Sequence, residues 1–374
     1  MDDAAYDVAV IGAGIAGSTL AAELAASARV ALLEREEAPG YHSTGRSAAL
    51  FTMSYGPGAV RALSCLSEPV FRSATGPDGH PLLSPRGLLF VAREDQRAAL
   101  DAFAAKVGNA VAPAAAEEAQ ARLPILKPGY VAAALLEADA ADIDVHALHQ
   151  LYLRRFKAAG GTLLCRAEVQ GVARRGGRWE VETPAGPVRA ETVVNAAGAW
   201  ADEVARLAGV APVGLVAKRR SAAIVATPGD ADPSGWPMLM DIDEQFYMKP
   251  DAGKLLVSPA DTTPSAPCDA RPEEIDIAIA VDRVQQACEL PVRRIERSWA
   301  GLRSFVADGV PVAGHAADAP GFFWLAGQGG YGIHTAPGLA RVAAALVQGQ
   351  PAPADAAEAG LDTRALDPGR PGIG

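Results

Sequence analysis

Two glycine-rich stretches stand at opposite ends of the 374-residue chain, and both have the spacing G-x-G-x-x-G. The first, Gly12, Gly14 and Gly17, follows the β-branched run "DVAVIG" and opens an alanine-rich run to about Ala26. The second, Gly327, Gly329 and Gly332, sits between the apolar "GFFWLA" and the helix-like "APGLARVAAALV". Strand, glycine turn and helix together make a phosphate site. The first glycine permits the tight turn, the second lets backbone approach a pyrophosphate, and the third lets helix and strand pack closely. The helix N-terminus adds free N–H groups and the positive end of its dipole. The next strand-like run, "RVALLE", ends on Glu34. An acid about twenty residues beyond the loop can take both ribose hydroxyls, which disfavours a 2′-phosphate.

The second loop is not expected to build a second nucleotide site, because its helix-like run leads into "QGQPAPADAAEAG" rather than into another strand that closes on an acid. It must serve a ligand already held at the N-terminus. A long dinucleotide such as FAD meets that requirement, its AMP half at Gly12–Gly17 and its isoalloxazine near the second helix. A helix N-terminus stabilises negative charge by roughly 0.3–1 kcal/mol, which favours an anionic reduced flavin. Between the loops, "TVVNAAGAWADEVARLAG" reads as a strand ending in Ala196, Ala197 and Gly198 before a helix. Small residues there permit close approach of a ligand.

Four side chains offer chemistry beside such a ring: Tyr55, Arg220, Tyr247 and Arg303. A guanidinium gives a carboxylate two parallel, charge-assisted hydrogen bonds, and a tyrosine hydroxyl adds a donor without charge. No Ser–His–acid set, reactive cysteine or separate nicotinamide unit competes, so the substrate is expected to reduce the flavin directly. His146 and His149 are three apart but lack a third ligand at suitable spacing, so no metal is expected. His42 and His334 read as structural or flavin-side, and no side chain is an obvious base.

These residues need a frame. "ADIDVHALHQLYLRRFKAAGG" reads as an Asp-capped helix with Val145, Leu148 and Tyr152 on its apolar face. "TLLCRAEVQGVAR" and "RWEVETPAG" read as strands of a meander. In 81–139 and 215–299, "GLLFVAR", "SAAIVAT", "EQFYMKP" and "KLLVSPA" lack βαβ rhythm and predict a mostly antiparallel sheet, covered by "IDIAIAVDRVQQACEL". The fold class is therefore α/β (α+β): a discontinuous Rossmann-like FAD-binding domain (1–80, 140–214 and 300–374) with an inserted substrate-binding sheet (81–139 and 215–299).

Composition agrees with a soluble enzyme. Hydrophobic residues make up 49% and charged residues 21%, and the net charge of −10 with scattered arginines gives no basic stripe for nucleic acid or anionic membrane. Cys65, Cys165, Cys268 and Cys288 are far apart, against a disulfide frame or zinc site. The apolar run 8–26 follows acidic Asp2, Asp3 and Asp7 rather than a basic segment, which argues against a leader. A cytoplasmic monomer without a transmembrane segment, at most peripheral to the inner face of the membrane, is expected.

Taken together, "VIGAGIAG", "LLERE", "GYHSTGRSAA", "VVNAAGAWAD", "KPDAG", "AGLRSFVADG" and "GQGGYGI" resemble the D-amino-acid oxidase superfamily of flavoproteins, most of all the bacterial D-arginine dehydrogenases and D-amino-acid dehydrogenases. The resemblance implies noncovalent FAD and oxidation of a D-amino acid. Hydride passes from the α-carbon to flavin N5, and the imino acid hydrolyses to a 2-oxo acid and ammonia. It assigns Tyr55, Arg220, Tyr247 and Arg303 to carboxylate binding and substrate orientation. Gly301 and Gly330 fall near the substrate amine. FAD contacts are implied at Gly12, Gly14, Ile15, Ala16 and Gly17, and at Glu34, Arg35, Ser43, Thr44, Ser47 and Ala48. Val169, Ala197, Gly198, Gly330, Tyr331, Gly332 and Ile333 complete that set. The glycine-flanked Tyr55 loop is expected to close over substrate as a lid.

One departure bears on specificity. Arginine-using relatives carry a glutamate shortly after "LLSPR", where this chain has Leu88, and a histidine where it has Leu50. Met238 and Met240 also fall on pocket positions. A guanidinium buried among these side chains would be unpaired, so apolar or uncharged D-amino acids are expected to be preferred over D-arginine. The electron acceptor (a quinone, another carrier or oxygen) is open. A glycine or secondary-amine oxidase, a 2-hydroxy-acid dehydrogenase and a non-catalytic flavin-binding subunit are the alternatives.

Overall fold

The computed structural model describes residues 6–229 and 231–373. Asp2 and Asp3, used above to argue against a leader, lie outside the described residues. The N-terminal strand Tyr6–Ile11 is the centre of the first sheet. It pairs in parallel with Val30–Leu33 on one side and Val188–Asn195 on the other. Val8 and Val10 pack on one face with the helices Ile15–Leu24, Val145–Ala158 and Ala336–Val347. Ala9 and Ile11 pack on the other face with Trp179, Val204 and Trp324. Burial on both faces explains why these strands read as unbroken apolar runs.

Asp144 caps the helix Val145–Ala158 as expected, its carboxylate accepting from the Ala147 N–H at 2.8 Å. The meander is smaller than the sequence suggested. Thr162–Leu164 pairs in parallel with Val30–Leu33 and belongs to the nucleotide-binding layer, whereas Gly171–Arg175, Arg178–Glu182 and Val188–Asn195 form the antiparallel run. The short strand Thr162–Leu164 carries no polar alternation that would have separated the two cases.

The second sheet has eight strands, and every pairing in it is antiparallel except that of Met238–Asp241 with Leu88–Ala92. One face, including Leu89, Val91, Ala223, Leu239 and Val257, packs on Ile277, Ala280 and Val284 of the helix Glu274–Ala287. The strand Arg297–Phe305 pairs along its length with Val216–Val225, so this sheet continues to Phe305, past the boundary at 299 drawn from the sequence. The other face, with Leu88, Phe90, Ala222 and Tyr247, packs in part on Leu100 and Phe103 of the helix Arg97–Val107, while Arg220, Ala222 and Tyr247 reach the cleft described below.

Candidate active site

A cleft of about 280 Å³ crosses the carboxyl ends of the parallel strands at Ile11, Leu33 and Ala196, where open α/β sheets bind ligands. Gly12 turns the chain there with φ +99°, and a Cβ on it would stand 2.5 Å from the Ala196 carbonyl oxygen. Gly17 does not line the cleft. A Cβ there would fall 1.9 Å from the Gly12 carbonyl oxygen, so its part is the close packing of helix on strand. Glu34 is buried in the cleft wall and accepts from the Ala13 N–H at 3.1 Å and the Glu36 N–H at 3.0 Å. Thr44 Oγ1 accepts from the Ile15 N–H at 2.9 Å. Behind the loop, His149 Nε2 lies 2.9 Å from Ser18 Oγ and 3.0 Å from the Ala13 carbonyl oxygen. His149 is a brace for the glycine turn, and among the described residues no group of three or more His, Cys, Asp or Glu is arranged around a metal.

Further along, Arg35 stacks 4.9 Å over the Trp200 ring and pairs with Glu168 at 2.8 Å. Val169, Ala197 and Gly198 form the adjoining wall. Ser43 Oγ donates to the Leu302 carbonyl at 2.6 Å and ties this wall to the second sheet. The far end of the cleft is made by Ser47, Ala48, Gly301, Arg303, Gly330, Gly332 and Ile333. Tyr331 departs from expectation. Its ring packs 5.0 Å from Tyr55 and 6.1 Å from Phe305, and it lines neither the cleft nor the chamber described next. The glycine loop turns it away from the side that Gly330 and Gly332 open.

These residues fit FAD. The cleft joins a glycine turn with an acid beside it to a second glycine loop, and Gln328 on its wall presents a buried Nε2 donor with no hydrogen-bond partner. A buried donor without a partner is costly, and an acceptor on the flavin would satisfy it.

A smaller chamber of about 60 Å³ adjoins that far end. Tyr55, Arg220, Tyr247, Arg303 and Gly330 line it together with Leu50, Leu88, Met238 and Met240. Strand register explains the convergence. Met238 stands opposite Leu88, Met240 opposite Tyr247, and Arg220 opposite Gly301. Residues directly opposite, and those two apart on a strand, share a face. Seven positions scattered from 88 to 303 thus become one wall. Gly301 is the exception, opening onto the cleft rather than the chamber.

Arg220 is held from behind. Its Nε donates to the Asp261 carbonyl at 2.9 Å, while the Asp261 carboxylate accepts from the Ser221 N–H at 2.6 Å and from Ser221 Oγ at 2.9 Å. Its neighbour Arg219 projects the other way and pairs with Glu273 and Asp276. Among the described residues neither Arg220 nor Arg303 has a carboxylate partner. Burial, and then the like charge of Arg303, lowers the pKa of Arg220. Burial raises that of the Tyr55 hydroxyl, which stays a donor. A Cβ on Gly330 would come 2.9 Å from Arg303 Nη1 and 3.3 Å from Tyr55 Oη, so these groups meet over this glycine and a methyl there would crowd both.

Sequence reasoning missed one residue here. Glu137 is buried at the end of the strand Ala133–Glu137, opposite Leu88, and accepts from Thr52 Oγ1 and the Met53 N–H, both at 2.6 Å, and from Ser54 Oγ. It therefore anchors the three residues before Tyr55. Its one sequence signal is an acid closing an apolar run, "AALLE". His334, read from the sequence as structural or flavin-side, lines the chamber rather than the cleft.

The family described as "DAO: FAD dependent oxidoreductase" matches residues 7–346. The chain is 27% identical over 361 residues to a glycine oxidase of Pseudomonas aeruginosa, covering 92% of this chain and 95% of that protein. It is 26% identical to an L-2-hydroxyglutarate dehydrogenase of Salmonella houtenae, covering 55% of this chain and 51% of the other. A human mitochondrial dimethylglycine dehydrogenase is 31% identical over 146 residues, and the match spans 38% of this chain but only 17% of that protein. Among solved structures, glycine oxidase from Geobacillus kaustophilus superimposes with TM-score 0.83 at 23% identity, covering 98% of both chains. L-alpha-glycerophosphate oxidase from Mycoplasma pneumoniae, with FAD bound, superimposes with TM-score 0.83 at 18% identity, covering 92% of this chain and 95% of the other. Both share the fold.

Proposed function

The chain belongs to the DAO family of FAD-dependent oxidoreductases, and from that premise we propose that it oxidises the α-carbon of small D-amino acids with apolar or uncharged side chains. The imino acid released would hydrolyse to a 2-oxo acid and ammonia. One observation carries this reading. Arg220 and Arg303, without carboxylate partners, reach one chamber together with the apolar side chains Leu50, Leu88, Met238 and Met240. That is a site for one carboxylate and one apolar group. The glycine turn, Glu34 and the Gln328–Ile333 loop would hold FAD, which would supply the hydride-accepting ring that no side chain can.

The chain's own residues do the rest. Arg220 and Arg303 take the substrate carboxylate, with the Tyr55 and Tyr247 hydroxyls as further donors. Each charged hydrogen bond is worth roughly 1.5–3 kcal/mol. Among the described residues no acid lines the chamber, so a substrate ammonium would face two guanidiniums and the free amine is the form favoured. Holding the carboxylate at the arginines and the side chain at the apolar residues would fix the orientation of the α-carbon, and such orientation is the main contribution side chains can make here. The likeness to D-arginine dehydrogenases supports the D configuration. Leu88 and Leu50 speak against D-arginine itself.

The size of the chamber favours a second reading. A volume of about 60 Å³, at roughly 10–15 Å³ per enclosed water, suits a substrate as small as glycine or an N-methylated glycine, in line with the names of several relatives. Anaerobic bleaching of the bound flavin tests both. Bleaching is expected with D-alanine, D-methionine and D-leucine and little with D-arginine. Bleaching by glycine or N-methylglycine alone would favour the second reading, by L-2-hydroxyglutarate alone a hydroxy-acid dehydrogenase. Bleaching by none would leave a flavin-binding subunit. Oxygen consumption during turnover separates an oxidase from a dehydrogenase.

A further inference from the structure

His334 lies within the glycine loop region, just before the helix Ala336–Val347, and is 4% exposed. The residue lines the substrate chamber, and its Nε2 is buried with no hydrogen-bond partner. Two tyrosine rings flank it, Tyr55 at 6.4 Å and Tyr331 at 6.3 Å, and Arg303 is the charged group facing it. Burial, and then Arg303, pushes its pKa down to about 4, so the imidazole is neutral at ordinary pH and keeps an acceptor nitrogen. An unpaired polar nitrogen in a packed wall is disfavoured unless a ligand completes it.

The position narrows what that ligand group is. A carboxylate offers only acceptors and is drawn to Arg220, Arg303 and the tyrosine hydroxyls. The apolar side chain is drawn to Leu50, Leu88, Met238 and Met240. The α-amino group is the one remaining polar part of the substrate and its one hydrogen-bond donor. We propose that His334 contacts substrate directly, its free ring nitrogen accepting a hydrogen bond from the α-amino group and so distinguishing amino acids from simple carboxylic acids. This rests on the reading of the chamber as an amino-acid site. The contact orients the amine and requires no net proton transfer to the imidazole.

A matched pair of ligands tests it on the FAD-loaded enzyme: D-methionine and its amine-free analogue 4-(methylsulfanyl)butanoate. Binding of each is read from the perturbed flavin spectrum, and oxidation of D-methionine from steady-state rates. In His334→Phe, which keeps an aromatic ring without nitrogens, D-methionine should lose about tenfold in kcat/KM or affinity. The analogue should bind within about twofold of wild type, well inside the loss expected for a hydrogen bond. His334→Gln, which restores an acceptor, should recover much of the loss. Equal weakening of both ligands would make His334 merely structural, and no weakening of either would make it a bystander. A wild-type enzyme that holds the analogue as tightly as D-methionine would likewise overturn the proposal. D-methionine that binds but is never oxidised would refute the proposed function instead, leaving the binding ratio to decide on His334.

Discussion

Arg220 and Arg303 project from the same face of adjacent antiparallel strands, Arg220 opposite Gly301 and Arg303 opposite Lys218. They are diagonal neighbours, within reach of a single small ligand, and the glycine between them leaves the approach from the cleft open. Asp261 is engaged by Ser221, and among the described residues no carboxylate forms an ion pair with either guanidinium, Glu244 acting on them only from farther off.

Replacing either guanidinium should therefore hurt substrate use without releasing FAD. Arg303→Lys and Arg220→Met are each expected to lower kcat/KM for D-methionine by roughly 10- to 100-fold, the equivalent of one charged hydrogen-bonded contact. The ratio of flavin to protein absorbance should stay at the wild-type value. Loss of colour in both variants would mean that the arginines build the cofactor cleft instead.

Two glycines should fail differently. Gly12→Ala places a methyl 2.5 Å from the Ala196 carbonyl oxygen at φ +99°, so the purified variant should be largely colourless. Gly330→Ala crowds Arg303 and Tyr55, and this variant should stay yellow while losing most turnover. Absorption spectra and rates measured side by side would separate the two effects.

Leu88 is 2% exposed in the chamber wall. A carboxylate there would meet a guanidinium side chain, so Leu88→Glu should raise the D-arginine to D-leucine ratio of kcat/KM at least tenfold, as expected for a buried charge pair whose partner is otherwise missing. The nearby acid Glu137 cannot do this in the wild type, because Thr52, Met53 and Ser54 occupy its oxygens. An unchanged ratio would show that the chamber does not hold the substrate side chain.

Removing Glu137 should loosen the segment that carries Tyr55. Glu137→Ala leaves three donors without their acceptor and is expected to reduce kcat/KM more than Tyr55→Phe does, while Glu137→Gln retains a substantial part of the activity. Faster hydrogen exchange at 52–55 in the alanine variant would locate the effect.

The pH dependence has two parts. Because the His334 pKa is lowered to about 4, the rise of activity with pH should follow the substrate amine rather than this imidazole. The same lowering affects stability. Between 6.5 and about 4 the unfolded chain takes up a proton that the folded chain refuses, so stability falls as pH falls through that window, by about 3 kcal/mol for this group. His149, also lowered by burial, contributes in the same direction. Thermal unfolding from pH 7 to pH 4 should show a smaller drop in His334→Phe than in wild type.

The nucleotide-binding half was written locally in the sequence. Strand, glycine turn, helix and the acid closing the next strand are near neighbours in the chain. Each makes its own demand on φ, capping or apolar periodicity, so Gly12, Gly14 and Glu34 could be found and the FAD cleft inferred. The strands of the second sheet were legible too, as alternating runs between turn residues. Their register was not, because hydrogen bonding between strands distant in sequence sets it. Only pairing decides that Arg220 and Arg303 share a face while Arg219 turns away to its acids, and that Thr162–Leu164 joins the parallel layer. The environments of Glu137 and His334 were hidden for the same reason: an acid at a strand end and a histidine after a glycine loop look ordinary until folding removes water from one and withholds a partner from the other.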